Sequence, residues 1–188
     1  MSFSQVGIGT VTPSAELEIE TSSGDIPALK LNPQTNPIGN EMGQLAVIGD
    51  KLYMYDDVRA KYLSVETTAL QFAKDGTADN DPLRFGGDVK DNGSGAKMPF
   101  NGTIVYCTIQ SSGGKEDKEF DIKINGIDVG NNTEDPTLDG KIQLNEGSFL
   151  YTSFNIDFDA GDFIAMEVRN EGLNVQDPAA IIWVKWRQ

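Results

Sequence analysis

The feature that most restricts how this chain can fold is a run of short segments separated by turn residues. The segments are rich in β-branched and aromatic residues, and Gly, Pro, Asn, Asp and Ser separate them at short intervals. The best helical candidate is 67–74, and the same residues can equally form an extended connector. The sequence therefore predicts an all-β protein with little helix.

The charge of the chain limits what it can bind. Its 188 residues include 15 Lys and Arg against 29 Asp and Glu, a formal net charge of -14. Such a surface repels polyanions, so we expect no nucleic-acid partner. No stretch reaches the roughly 18 apolar residues of a membrane-spanning helix. Residues 1–5 lack the basic start of a signal peptide, so we expect neither membrane insertion nor export by the usual signal.

The chain contains no histidine, which restricts the chemistry available to it. Ser-His and Cys-His nucleophile pairs and the usual zinc ligand are absent. Two facing carboxylates can hydrolyse a glycosidic bond, but no pair stands out among the scattered acids. We therefore expect a protein that is not an enzyme and has no cofactor. The single cysteine, Cys107, lies beside Val105 and Ile109 in a strand pattern, and we interpret it as a buried small hydrophobe.

Residues 6–20 have the pattern of a stalk. Val6-Gly-Ile-Gly-Thr10 is followed by Pro13 and by the alternating segment Ala15–Glu20. Further strand candidates follow at 28–31 and 43–55, the latter containing a turn at its Gly-Asp pair. Each is too short to form a core by itself. These strands need partners, most simply further copies of the chain.

These residues resemble a motif that recurs in bacteriophage tail fibres and related trimeric surface fibres. The matching residues are Val6-Gly-Ile-Gly-Thr10, Pro13 and Leu17-Glu-Ile19. The segments 43–57 and 59–65 resemble the short hairpin repeat that follows in such fibres, with Tyr62 where many repeats carry tryptophan. The resemblance covers about the first third of the chain.

This resemblance implies a homotrimeric β-stalk. In such a stalk the glycines approach a common axis, and Ile8, Leu17 and Ile19 of each copy bury one another in a thin shared core. The alternative is an N-terminal arm that packs on its own chain.

The second half of the chain predicts an antiparallel β-sandwich. Strand patterns occur at 102–109, 119–125, 149–154, 162–168 and 179–186. In 119–124 the apolar residues alternate with charged ones, so we expect one core face and one wet face. Asn125-Gly126 predicts a tight hairpin turn. In the last strand Trp186 and Trp183 lie on opposite faces, so a subunit interface at Trp183 would cover the second face.

The order of these elements resembles the jelly-roll knobs of trimeric fibres, which are similar to the tumour-necrosis-factor and complement-C1q heads. The matching residues are Met98-Pro-Phe-Asn-Gly-Thr103, which opens the domain, and the turn Phe158-Asp-Ala-Gly-Asp162 before a long strand. We therefore divide the chain into a stalk or anchor (1–66), a connector (67–87) and a sandwich knob (88–188).

Two loops and three aromatic residues are further candidates for binding. The acids of Asp75–Asp81 suit a hard cation such as calcium, but their spacing is not that of an EF-hand, and we interpret the segment as a solvated loop. The acidic segment 131–139 is interpreted as a surface connection. Tyr106, Tyr151 and Trp183 can stack on a sugar ring, but aromatic residues on strands are more often core or interface.

Together these observations predict a structural virion fibre protein of a bacteriophage, either a head fibre or a tail fibre. Its N-terminus is expected to bind a capsid or tail protein, and its knob is expected to attach to a glycan or protein of the host surface. Assembly is expected in the host cytoplasm and final localisation at the virion surface. The alternatives are a carbohydrate-binding surface module and a capsid decoration protein without a receptor role.

Overall fold

The chain folds as short β-strands. A computed structural model describes residues 5–21, 24, 26–86, 95–114, 118–129, 142–144, 148–169 and 174–187. No helix occurs within these ranges, and the predicted all-β class is confirmed. The strands before residue 66 are β1 (Val6–Ile8), β2 (Leu17–Ile19), β3 (Leu45–Ile48), β4 (Lys51–Asp56) and β5 (Lys61–Ser64). The later strands are β6 (Thr67–Ala73), β7 (Thr77–Ala78), β8 (Asp81–Pro82), β9 (Arg84–Phe85), β10 (Ala96–Lys97), β11 (Gly102–Gln110), β12 (Gly113–Gly114), β13 (Glu119–Ile124), β14 (Ile127–Asp128), β15 (Ile142–Gln143), β16 (Ser148–Tyr151), β17 (Ile156–Phe158), β18 (Phe163–Val168), β19 (Val175–Gln176) and β20 (Ala179–Trp186).

The first five strands form two small sheets. β1 and β2 pair in parallel, and β3, β4 and β5 form an antiparallel meander. The predicted turn between β3 and β4 is confirmed, and Gly49 occupies it with φ 61°. The strand predicted at 28–31 is wrong, because these residues lie exposed beside a proline-rich turn region and only Pro33 forms a bridge, to Val47.

The remaining strands form the predicted sandwich. The large sheet has the order β16-β11-β20-β6-β9, with β17 also paired to β11. The small sheet has the order β10-β18-β13-β14, with β15 paired to β13 and β8 to β18. A third sheet, β12-β19-β7, lies beside them. The predicted hairpin turn at Asn125-Gly126 is confirmed, since both residues have positive φ and join β13 to β14.

The inner faces of the two larger sheets share one hydrophobic core. Alternate residues of β20 are buried, as the period of a strand requires. Trp186 belongs to this core, whereas Trp183 is half-buried on the opposite face, so the predicted division of the two tryptophans is confirmed. The large sheet contributes, among others, Leu70, Phe72, Ile104, Cys107, Ile109, Ile182 and Val184, and the small sheet contributes Phe120, Ile122, Ile164, Met166 and Val168.

β6 lies inside the large sheet, between β20 and β9. It pairs with β20 from Thr67 opposite Lys185 to Ala73 opposite Ala179. The helical alternative for 67–74 is therefore wrong, because a strand is what places Leu70 and Phe72 together in the core. The predicted connector 67–87 thus begins with a strand of the sandwich, and the domain bounds themselves stay a prediction.

Candidate functional site

The three predicted stalk residues lie together on the β1–β2 pair. Ile8 on β1 is directly opposite Ile19 on β2, and Leu17 is the first residue of β2. Ile8 is 54% exposed and Leu17 is 59% exposed, while Ile19 is half-buried. The structure therefore brings these residues onto one small sheet without covering them, and their burial by other copies stays a prediction.

The glycines of the N-terminal motif have a reason within a single chain. A Cβ atom on Gly9 would lie 2.1 Å from the carbonyl oxygen of Glu20, and the φ of Gly9 is +82°. A Cβ atom on Gly7 would lie 2.5 Å from the carbonyl oxygen of Thr10. Only glycine fits such close backbone approaches. The pairing of β1 with β2 thus accounts for Gly9, and the close approach of Thr10 accounts for Gly7, without a shared axis.

Exposed apolar side chains are concentrated in the N-terminal segment, residues 5–65. Among the described residues, 17 large hydrophobic side chains are exposed, and 14 of them lie in this segment. Its own buried cluster contains Ala46, Ile48 and Tyr53, with Tyr62 packed against them. A concentration of exposed apolar side chains makes this segment a candidate contact surface. The exposed set is Val6, Ile8, Val11, Leu17, Ile26, Leu29, Leu31, Ile38, Met42, Leu45, Leu52, Met54, Val58 and Val65.

The outer face of the large sheet carries a second candidate surface in its part around Trp183, which we call the uncharged face. Trp183 lies near its centre, between Tyr106 on β11 and Ala69 on β6. Leu150 on the edge strand β16 is 54% exposed. Eleven outward-facing residues of four strands form it, and none of them is charged, although Lys185 and Arg84 on the same side of the sheet border it: Ala69, Gln71, Ala73, Tyr106, Thr108, Gln110, Ser148, Leu150, Ala179, Ile181 and Trp183.

The outer face of the small sheet has the opposite character. It was predicted to be wet, but Glu119 and Asp121 are each only 6% exposed. Asp121 lies 3.4 Å from Arg169, and Lys123 pairs with Glu167 at 2.7 Å. Burial, together with the nearby charge of Asp128 and a hydrogen bond with it, raises the pKa of Asp121 to about 7. The prediction failed because ion pairs allow acids to be packed closely on an outer face.

Arg59 joins the N-terminal segment to the sandwich. This side chain is 8% exposed and lies in the turn between β4 and β5. Its Nε donates to the carbonyl oxygen of Phe154 at 2.7 Å, and its Nη2 donates to those of Val105 at 3.0 Å and Thr152 at 3.1 Å. Asp56 binds its Nη1 at 2.8 Å. One guanidinium therefore satisfies three carbonyls of the sandwich.

Two irregularities of the large sheet create the binding site for Arg59. β11 has a bulge between Ile104 and Tyr106, and the edge is interrupted between β16 and β17, at residues 152–155. Both irregularities leave carbonyls without a strand partner. Sequence analysis did not identify Arg59, because its partners on the sandwich lie 46 to 95 residues away in the chain.

The acids of the predicted Asp75–Asp81 loop face lysines. Asp81 lies 3.2 Å from the Nζ of Lys74, and Asp79 lies 2.6 Å from the Nζ of Lys118, which is fully buried. Burial acts to raise the pKa of Asp81, but the hydrogen bond from the backbone N–H of Asp79 and the pairing with Lys74 outweigh it, so the pKa is lowered. No group of three or more acids or cysteines suited to a metal ion occurs in the described ranges. The acidic segment 131–139 lies outside the described residues.

The remaining single-residue interpretations concern Cys107 and two tyrosines. Cys107 is fully buried, as predicted, and burial raises the pKa of its thiol to about 12. Tyr151 is a core residue whose hydroxyl donates to the carbonyl oxygen of Gln143 at 2.6 Å, so its ring is not free to stack on a sugar. Tyr106 is half-buried, and the guanidinium of Arg59 lies 5.6 Å from its ring centre.

Comparisons with known proteins leave the family open. No family model matches the sequence, and no curated protein matches it at a significant level. One solved structure, the crystal structure of FlhE, aligns with 66% of this chain and 100% of its own, at 12% identity and a TM-score of 0.34. That score is too low to support an argument about fold or function. Within the described ranges the chain forms no helix with the length and apolar character needed to cross a bilayer.

Proposed function

We propose that this protein is a homotrimeric fibre protein of a bacteriophage particle, with an anchoring N-terminal segment and a sandwich that attaches to the host surface. The observation that carries the proposal is the concentration of exposed apolar side chains in residues 5–65, where 14 of the 17 described examples lie. A segment with so small a core of its own gains stability by burying these side chains against further copies.

The charge distribution supports contact between copies on the sandwich as well. Each chain carries a net charge of -14, so two copies repel each other over most of their surfaces. The uncharged face avoids this repulsion and offers Trp183, Leu150 and Ile181 for burial. Aromatic residues are enriched at the centres of protein interfaces. The trimeric number itself comes from the resemblance to fibre stalks.

Light scattering of the full-length chain tests the assembly. We expect a mass three times that of the 20.4 kDa chain. Leu17→Asp adds a charge on the predicted stalk, and Trp183→Asp adds one on the uncharged face. Ile127→Asp is the matched control, since Ile127 is 69% exposed and belongs to neither surface.

The outcomes separate the two surfaces. Loss of the trimer in Leu17→Asp alone assigns assembly to the stalk, and loss in Trp183→Asp alone assigns it to the sandwich. A wild-type chain that is monomeric or dimeric at all concentrations overturns the trimeric proposal. For the attachment role, particles lacking the sandwich are expected to remain intact but to lose adsorption to host cells; unchanged adsorption contradicts that role.

A further inference from the structure

A cleft of ≈ 480 Å³ lies where the turn between β3 and β4 meets one end of the sandwich. The turn contributes Asp50 and Lys51, and the sandwich contributes Phe100, Asn101 and Arg187. This volume falls within the range of clefts that hold small molecules. The cleft is separate from the uncharged face and from the β1–β2 pair.

One wall of the cleft is aromatic. Phe100 is 49% exposed, and its ring packs edge-on against Trp186 at a centroid distance of 5.6 Å. Three large hydrophobic side chains are exposed among the described residues from 67 onward, and Phe100 is the one that is aromatic. Trp186 is buried in the sandwich core and holds the ring in place. The Phe100 ring is therefore a supported apolar surface that is about half exposed to solvent, with the ammonium of Lys51 over one part of it.

The other walls carry hydrogen-bonding groups of both kinds. Asp50 is exposed at the turn, and the Nζ of Lys51 lies 4.0 Å from the centre of the Phe100 ring. The Oδ1 of Asn101 accepts the backbone N–H of Ala160 at 2.9 Å, which leaves its amide NH₂ as a donor. The cleft thus offers a carboxylate acceptor, an ammonium donor and an amide donor around one ring.

Arg187 adds a guanidinium that is only partly used. Its Nη2 donates to the carbonyl oxygen of Phe158 at 3.1 Å and to Asp159 at 3.0 Å. Its Nε makes no hydrogen bond and lies 3.6 Å from an oxygen of Asp157. These acids neutralise the arginine, so the cleft as a whole does not favour an anion.

We propose that this cleft binds a neutral hexopyranose unit of a surface glycan. A pyranose has an apolar C–H face that packs on the exposed part of the Phe100 ring beside Lys51, and its hydroxyl groups both donate and accept, which suits Asp50, Lys51 and Asn101. A polyanion is disfavoured by the acids around Arg187 and by the net charge of -14. This inference deepens the attachment role proposed above and rests on it.

Titration of the full-length protein with three methyl glycosides, of glucose, galactose and N-acetylglucosamine, tests the cleft. Binding is followed by saturation-transfer NMR at glycoside concentrations up to about 20 mM. We expect saturable binding of at least one glycoside. Phe100→Ala is expected to weaken it about ten-fold, which corresponds to about 1.4 kcal/mol. Asp50→Ala, at an exposed turn where folding is little affected, is expected to weaken it similarly.

Ile127→Ala is the matched control, because Ile127 is an exposed apolar residue of the sandwich that lies outside the cleft and outside both candidate surfaces. Its affinity is expected to equal that of the wild type. Absence of saturable binding for all three glycosides overturns the proposal, as does binding that both Phe100→Ala and Asp50→Ala retain. The mass of the same samples is measured by light scattering. If a monomer binds sugar, the proposal for the cleft is supported and the trimeric proposal is rejected. If the protein is a trimer that binds none of the glycosides, the trimeric proposal is supported and the proposal for the cleft is rejected.

Discussion

The N-terminal segment and the sandwich are both built from paired strands but bury very different amounts of apolar surface. The segment has a buried cluster of Ala46, Ile48 and Tyr53, whereas the sandwich has a core of 25 buried residues. Backbone pairing is therefore present in both regions, and an extensive core in only one. Since strand pairing by itself stabilises a small sheet only marginally, the comparison indicates that the segment depends on something outside itself.

Part of that dependence is met within the chain. Arg59 and Ser64 bind the meander β3–β5 to the sandwich, with the Oγ of Ser64 accepting the backbone N–H of Trp186 at 2.9 Å. The β1–β2 pair has no comparable contact with the sandwich among the hydrogen bonds of the described residues. The meander is thus an attached part of the folded unit, and the β1–β2 pair is where contacts with other copies are most needed.

The largest expected effect comes from the core of the sandwich. Ile122→Ala removes a side chain with no exposed surface and leaves a cavity between the sheets. We expect the free energy of unfolding to fall by about 4 kcal/mol. Urea unfolding measures it, with Ile38→Ala as the control, since Ile38 is almost fully exposed. If both variants unfold at the same urea concentration, the contrast between the two regions is wrong.

Replacement of Arg59 is the next largest effect and breaks the link between the regions. Arg59→Ala leaves the carbonyls of Val105, Thr152 and Phe154 without their donor, and we expect a loss of about 3 kcal/mol. Arg59→Lys keeps the charge but not the planar fork, so most of the loss should remain. Urea unfolding and hydrogen exchange of β3–β5 measure both effects, with Lys30→Ala as an exposed control. An Arg59→Ala protein as stable as the Lys30→Ala protein would contradict the proposed role of Arg59 in joining the two regions.

The smallest expected effect concerns the charged face of the small sheet and depends on pH. The pKa of Asp121 is about 7 in the folded protein and 3.8 in its reference state, so the folded state binds this proton more tightly. Stability contributed by the protonated group is therefore complete below pH 4 and is lost as the pH rises towards 7. Glu167 on β18 is directly opposite Asp121, and Asp128 lies nearby and raises its pKa. Arg169 and Lys123 are the nearby cations that favour the ionised form of Asp121.

The variant Asp121→Asn tests whether Asp121 causes this pH dependence of stability. We expect the variant to lose the decrease in stability between pH 4 and 7 and to be more stable than the wild type at pH 8, by about 1 kcal/mol after solvent screening. Thermal unfolding across this pH range measures the difference. Parallel pH profiles for the two proteins would show that Asp121 is ionised at neutral pH.

Much of the sandwich was predictable from residue patterns. Alternation in 179–186 correctly placed Trp186 in the core and Trp183 on the other face, and Asn125-Gly126 correctly marked a hairpin. The candidate surfaces were predictable only in part. Trp183 was identified, but the absence of charged residues from the surface immediately around it emerges only when four separate strands are aligned.

The sequence alone determined the β class and which side chains of each strand share a face, because the two-residue period of a strand is a local property. Tertiary structure decided which strands are neighbours, and so the place of β6 beside β20, the parallel pairing of β1 with β2 and the cleft at Phe100. It also decided that Arg59 reaches carbonyls up to 95 residues away. A strand pattern specifies a buried face but not its partner, since partners are selected by packing among residues distant in the chain.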